Sequence, residues 1–169
     1  MILRPAKPSD ANNLAAVGAA TFTSAFGHLY QPEDLSHFLN SSHSLAAYQA
    51  ALESDNQPIW VIEDQDRLVA YIKLCPNRLP CDPAMPEAVE LSRLYALADY
   101  RGRGLGSRLL DAAYAYAKEQ GSRDMVLSVF SENFDGHRFY ERHGFKKIGE
   151  YDFAVGAQLD REWIMHRKI

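Results

Sequence analysis

The residues best suited to chemistry form one short run, Arg101-Gly102-Arg103-Gly104-Leu105-Gly106-Ser107, between a β-rich stretch and a long helical one. Three alternating glycines let a backbone approach a ligand with no Cβ in the way. A helix starting there presents unpaired N–H groups and the positive end of its dipole, which favours an anion by ~0.3–2 kcal/mol. Arg101 and Arg103 add cations that stay protonated at neutral pH, and Ser107 adds a hydroxyl. The chemistry this implies is the binding of phosphate. A P-loop would need Gly-Lys-Ser/Thr at the helix start, whereas Gly106 is followed by Ser107-Arg108. A dinucleotide fingerprint would read GxGxxG near the start of a βαβ unit; the spacing here is GxGxG, and a long helical region precedes it.

The elements that must position this turn are legible on both sides. From Gly104 to Gln120, apolar Leu105, Leu109, Leu110, Ala113 and Ala117 follow a 3.6-residue period, and Gly121 stops the helix. Upstream, Ile59–Glu63 and Arg67–Leu74 flank the polar turn Asp64-Gln65-Asp66 and predict a hairpin. A proline-rich loop leads to a third strand, 88–97. The N-terminal third predicts a strand at Ile2–Arg4 and a helix capped by Ser9 or Asp10. Two further helices are expected after Pro32 and over Ser44–Leu52. Met125–Phe130 reads as a buried strand, Asn133–His143 as a short helix, and 145–155 and 161–167 as closing strands. Strands alternating with helices predict a mixed α/β domain with some parallel pairing. A length of 169 residues fits a single domain over 1–169.

A second motif lies downstream of the turn. Asn133 is followed seven residues later by Tyr140, then by Gly144-Phe145. With Glu90–Leu97 and the Arg101–Gly106 turn, this sequence resembles motifs A and B of the GNAT N-acetyltransferases, in the right order and register. The first motif spans about 90–120 and the second about 131–145. The resemblance covers nearly the whole chain. It implies a GNAT fold, an α/β domain whose mixed, mostly antiparallel twisted sheet is split where the cofactor binds and is flanked by helices. It also implies an acetyltransferase that takes acetyl-CoA, with no metal. Gly136 departs from the family, which commonly has Ala there; a glycine inside a helix costs ~1 kcal/mol, so a late or irregular helix start is expected. Thr21–Phe26, Tyr30 and Pro32–Leu35, with the tail from Gly149 to Met165, are similar to the narrower bacterial spermidine/spermine acetyltransferase group.

The resemblance assigns roles residue by residue. The backbones of Leu94 and Ala96 would pair with the pantetheine arm as an added strand does. Asn133 would hydrogen-bond it, and Arg101, Gly102, Arg103, Gly104, Leu105, Gly106 and Ser107 would hold the pyrophosphate. Tyr140 would be the general acid, since a phenol of pKa near ~10 can protonate a thiolate of pKa ~8.5. Glu90 would be the base, acting through a water. Strand alternation places Glu90, Ser92, Leu94 and Ala96 on one face. His137 is expected at the helix surface, with the phosphate end of the cofactor as the sharper alternative. The acceptor pocket should use Phe22, Phe26, Tyr30, Tyr71 and Phe153, with Lys73 nearby, because aromatic faces attract cations.

A formal charge of −4 and a pI near 5.8 exclude a general nucleic-acid binder. Cys75 and Cys81 predict free thiols. No apolar run reaches ~18 residues, so no membrane partner and a cytoplasmic location are expected. The expected partner is a small-molecule amine, and the narrower likeness implies a polyamine; a homodimer stays open, because many relatives are dimers. Two rival functions remain at this level: acetylation of a protein N-terminus or lysine, and a non-catalytic acyl-CoA-binding module.

Overall fold

The computed structural model describes residues 1–169. Seven strands form one sheet: β1 (Ile2–Pro5), β2 (Ile59–Asp64), β3 (Arg67–Pro76), β4 (Val89–Ala96), β5 (Asp124–Phe130), β6 (Lys146–Val155) and β7 (Gln158–Lys168). Their spatial order is β1-β2-β3-β4-β5-β7-β6. All neighbours are antiparallel except β4 and β5. That parallel pair is joined by α4 (Leu105–Glu119), the crossover a parallel connection requires.

The helices divide between the two faces. Helix α4 buries Leu105, Leu109, Leu110, Ala113 and Ala117, the stripe its period predicts, against Ile72, Leu74, Leu91, Met125 and Leu127. Helix α5 (Phe134–Arg142) adds Phe139 and Tyr140 to that side. The opposite face carries α1 (Ala11–Phe26) and α3 (Leu45–Leu52), whose Leu14, Val17 and Tyr48 pack on Val61, Leu68 and Tyr71. Helix α2 (Pro32–Ser42) buries no residue fully. It lies over the far end of the sheet, where Phe38 meets Phe22 of α1 and Phe153 of β6.

Local chemistry sets the boundaries. The β2–β3 turn puts Gln65 and Asp66 at φ 50° and 60°, the left-handed pair that suits a two-residue hairpin. Pro32 opens α2, and Ser44 caps α3 by accepting from the Ala47 N–H at 3.1 Å. Asp10 stands at the start of α1 but makes no side-chain cap hydrogen bond to that helix. Its carboxylate pairs with Arg4 at 2.7 Å and accepts the Lys7 N–H at 2.7 Å. The hydrogen bond from Arg4 holds its pKa below the usual range, so the charge is committed to tying β1 to the helix start.

Two irregularities in β4 make the site. Parallel pairing with β5 covers only Val89–Leu91 against Met125–Leu127, although both strands continue. Beyond Leu91 they part, and the β4 backbone from Ser92 to Ala96 faces the gap. Ser92 is also an extra residue in the β3–β4 ladder, which passes from Leu74↔Leu91 to Lys73↔Arg93. Its hydroxyl donates to the Lys73 carbonyl at 3.2 Å. Such a bulge shifts the alternation by one residue. Val89, Leu91, Leu94 and Ala96 therefore join the α4 face. Glu90, Arg93 and Tyr95 oppose Cys75, Lys73 and Tyr71 on the α1 face. The alternation expected from the sequence, with Glu90 on the same face as Leu94 and Ala96, is corrected by this one inserted residue.

Candidate active site

The gap between β4 and β5 opens into a cavity of about 1270 Å³ that reaches both faces of the sheet. On the α4 side it is lined by Leu94, Ala96, Arg101, Gly102, Gly104, Leu105, Gly106, Ser107, Asn133 and Tyr140. Gly102 and Gly104 have φ of 75° and 74°, and a Cβ on either would meet nothing within 4 Å. The need for glycine there is conformational: left-handed backbone folds the turn so that α4 starts at its mouth. The first intrahelical bond near that start is Arg108 N–H to Gly104 O, so the N–H groups of Leu105, Gly106 and Ser107 precede the ladder. Gly106 is different. Its Cβ would sit 3.1 Å from the Phe139 ring, and the missing side chain lets α4 and α5 converge on the cavity.

Not every expected residue in the turn lines the cavity. Arg103 is not in the lining; its guanidinium lies 4.8 Å from the centre of the Tyr100 ring, which is. Arg142, which the motifs did not single out, supplies a cation to the lining instead. Ser107 Oγ lies 3.0 Å from His143 Nε2, which orients it.

Asn133 caps α5, its side chain accepting the Gly136 N–H at 3.0 Å. A Cβ at position 136 would stand 2.8 Å from Asn133 Nδ2, so the Asn133 side chain would have to shift to make room for one. The helix is regular from Phe134, and the irregular start expected from Gly136 does not occur. His137 is neither on the surface nor at the phosphate end. It is buried, stacks on Trp163 with centroids 4.0 Å apart, and meets the Phe130 carbonyl at 3.0 Å through Nε2. Tyr140 lines the cavity between Phe139 and Phe145, and burial pushes its phenol above the ordinary value.

The α1 side of the cavity is both aromatic and charged. Phe22, Phe26, Tyr30, Phe38 and Phe153 wall it, with Tyr95 and Tyr151 on the sheet. Phe22 and Tyr30 stack at 5.9 Å. Tyr71 is not among these residues. It is 1% exposed, its hydroxyl bonds to that of Tyr48, and both belong to the core beneath α1. Tyr71 shares a face with the lining residues Lys73 and Tyr95 but lies under helix α1, away from the gap.

Five carboxylates line the cavity: Glu132 and Asp135 near the start of α5, and Glu90, Asp160 and Glu162 on strands. Glu90, 7% exposed, accepts the Arg78 N–H at 2.9 Å. Asp160 accepts from the Tyr30 phenol and from Gln158 at 2.7 Å. Glu162 accepts from the Tyr151 hydroxyl at 3.2 Å, and burial, followed by the charges of Asp160 and Glu90, pushes its carboxyl up. Asp160, Glu162 and Tyr151 were not assigned to the site from sequence. The available signal was Asp160-x-Glu162 in a strand, which puts both acids on one face.

Helix α2 is clasped over this end of the cavity. Gly156, at φ 59° in the β6–β7 turn, sits so close to α2 that a Cβ would overlap the Asp34 carboxylate. Gly156→Ala should therefore unseat α2. The expected result is a rise of about fivefold to tenfold in the KM of the acceptor, the effect of ~1 kcal/mol of lost seating, with the KM of acetyl-CoA nearly unchanged. Steady-state kinetics with each substrate varied separately checks this.

Residues 22–145 match the family model described as the acetyltransferase (GNAT) family. The chain belongs to the GNAT acetyltransferase family. An uncharacterized N-acetyltransferase of Mycobacterium tuberculosis is 31% identical over 161 residues, covering 95% of this chain and 99% of that one. Another, of Lactobacillus delbrueckii subsp. lactis, is 21% identical over 160 residues, covering 95% of this chain and 92% of the relative. Among solved structures, the PaiA N-acetyltransferase of Thermoplasma acidophilum, in complex with coenzyme A, aligns with a TM-score of 0.80. It shares 21% identity, over 99% of this chain and 98% of that chain. That likeness shows the shared fold. The acetyltransferase is an enzyme, and its parted strands, glycine turn and open α4 terminus fit acetyl-CoA. None of its helices is long and apolar enough to cross a membrane.

Proposed function

We propose that this acetyltransferase moves an acetyl group onto a primary amine of a small molecule, the amine attacking directly in a ternary complex. The observation that carries this reading is the continuity of the cavity. It joins the glycine turn on one face of the sheet to a charged, aromatic chamber on the other through the gap beside Tyr140. Bound acetyl-CoA would supply the activated thioester. Arg101, the N–H groups of Leu105–Ser107, the backbone of Leu94 and Ala96, and Asn133 would hold it.

The remaining work is proton transfer. A lysine-like amine has a pKa near ~10.4 and is almost wholly protonated at pH 7. Glu90 would take its proton through a water, and Glu162, on the facing side of the chamber, is a second carboxylate able to do so. Tyr140 would hold its proton at Oη until the thiolate leaves and then donate it. The clasped α2 roof supports a small acceptor over a protein N-terminus or lysine side chain. Tyr140 and Glu90 in the lining support turnover over a non-catalytic acyl-CoA-binding role. The polyamine reading rests only on the likeness of the N-terminal and C-terminal segments.

The test is thiol release from acetyl-CoA with a panel of amines, run beside CoA-dependent thermal stabilisation. Release with at least one small amine is expected. Stabilisation without release from any amine would leave the binding module as the better reading, and neither signal would sink both.

A further inference from the structure

Two cations stand side by side in the acceptor chamber. Lys73 and Arg93 face each other across the β3–β4 pair, on the side roofed by α1 and α2, and both line the cavity. Neither takes part in any ion pair of the chain. Glu90, the carboxylate on the same face of β4, is engaged by Arg78 instead, through the N–H at 2.9 Å and the guanidinium at 3.8 Å.

Arg93 is nonetheless held in place. It donates to the Ser42 carbonyl at 2.6 Å, and its guanidinium stands 5.3 Å from the centre of the Tyr48 ring. Both contacts are to neutral groups. His43, next to Ser42, cannot become a third cation, because burial and then the charges of Arg93 and Lys73 lower its pKa to about 3. Lys73 is itself lowered to about 8, by burial first and Arg93 second.

Adjacent like charges withdrawn from water cost free energy unless an opposite charge meets them. Perturbed groups of this kind in a cleft mark binding sites. Asp160 and Glu162 lie on β7, beyond the gap, and Lys73 and Arg93 lie on β3 and β4, before it, beside the Glu90–Arg78 pair. An amine at the gap would have two carboxylates on one side, and on the other two cations that form no ion pair.

We infer that the acceptor bears a carboxylate beside its amine and that Lys73 and Arg93 bind that carboxylate, so the substrate class is an α-amino acid or a compound with the same zwitterionic head. This rests on the small-amine acetyltransferase reading and narrows it. A polyamine has no group to place against these two cations.

The experiment compares thiol release for L-amino acids, their α-amides and spermidine. The expected result is a kcat/KM for the best amino acid about tenfold or more above that of its amide, the size of one buried charge-assisted contact. Lys73→Met should lower kcat/KM for that amino acid by a similar factor and bring the acid-to-amide ratio toward one. Lys73→Arg, which keeps the charge, should restore most of the preference. CoA-dependent thermal stabilisation reports that each variant is folded, and the wild-type preference is read independently of the variants. Equal or better use of the amides or of spermidine would overturn the inference while leaving the transferase reading intact. An unchanged acid-to-amide ratio in a folded Lys73→Met would also overturn it. Release from no acceptor at all would overturn both together.

Discussion

Tyr140→Phe should lower kcat about 100-fold and leave the KM of acetyl-CoA within about twofold, the range a positioned general acid supplies. The substitution removes one oxygen and keeps the ring, which packs with Phe139 at 5.2 Å and Phe145 at 5.7 Å. The fold and the shape of the cavity should therefore survive, and a loss in kcat would report chemistry. Burial pushes this phenol above its ordinary pKa, so it stays protonated across the assay range. As the acid it must be protonated to act. The sign is then definite: activity that depends on Tyr140 should not fall on the alkaline side until well past roughly pH 9, where an unperturbed phenol of pKa ~10 would already be ionising in part. Pre-steady-state and steady-state thiol release over a pH series measure both effects. An unchanged kcat in the Phe variant would remove Tyr140 from the mechanism.

Gly18→Ala should destabilise the protein by about 3 kcal/mol or more, lowering Tm by roughly 6–12 °C for a chain of this size. Propensity alone gives the opposite sign. Gly18 lies inside helix α1, where Ala is better than Gly by ~1 kcal/mol. The difference is what lies against it. A Cβ at position 18 would overlap His43 Nδ1 and come within 2.5 Å of the Tyr48 hydroxyl and 3.0 Å of the Tyr71 hydroxyl. Those three groups form a buried polar chain, with His43 Nδ1 3.1 Å from the Tyr48 hydroxyl, which meets Tyr71. Making room for a methyl group means breaking hydrogen bonds that water cannot replace. The same chain steadies the end of α2 and the start of α3, next to the Ser42 carbonyl that holds Arg93. Thermal unfolding by circular dichroism decides the matter, and a higher Tm for the variant would refute this account.

The glycine turn and the second motif were legible because they depend on local chemistry. Left-handed φ at Gly102 and Gly104, the cap at Asn133 and the apolar stripe of α4 are requirements of a few consecutive residues. The strand and helix order was readable for the same reason, from period and turn signals. The acceptor chamber was read less well. Phe22, Phe26, Tyr30 and Phe153 do line it, but Tyr71 lies in the core, and Asp160, Glu162, Tyr151 and Arg93 were not assigned to it. His137 looked like a surface residue because nothing within its helix reveals Trp163 across on β7.

A single insertion separates these two levels. The sequence by itself determined that residues 88–97 form a strand leading into an anion-binding turn, because alternating glycines before an amphipathic helix permit little else. It did not determine which face each side chain of that strand takes. Only the tertiary structure decided this, since the ladder with β3 absorbs Ser92 as an extra residue and reverses the alternation after it. Pairing register is a property of two strands together. That reversal keeps Leu94 and Ala96 beside α4 and turns Arg93 to the chamber where the acceptor is expected.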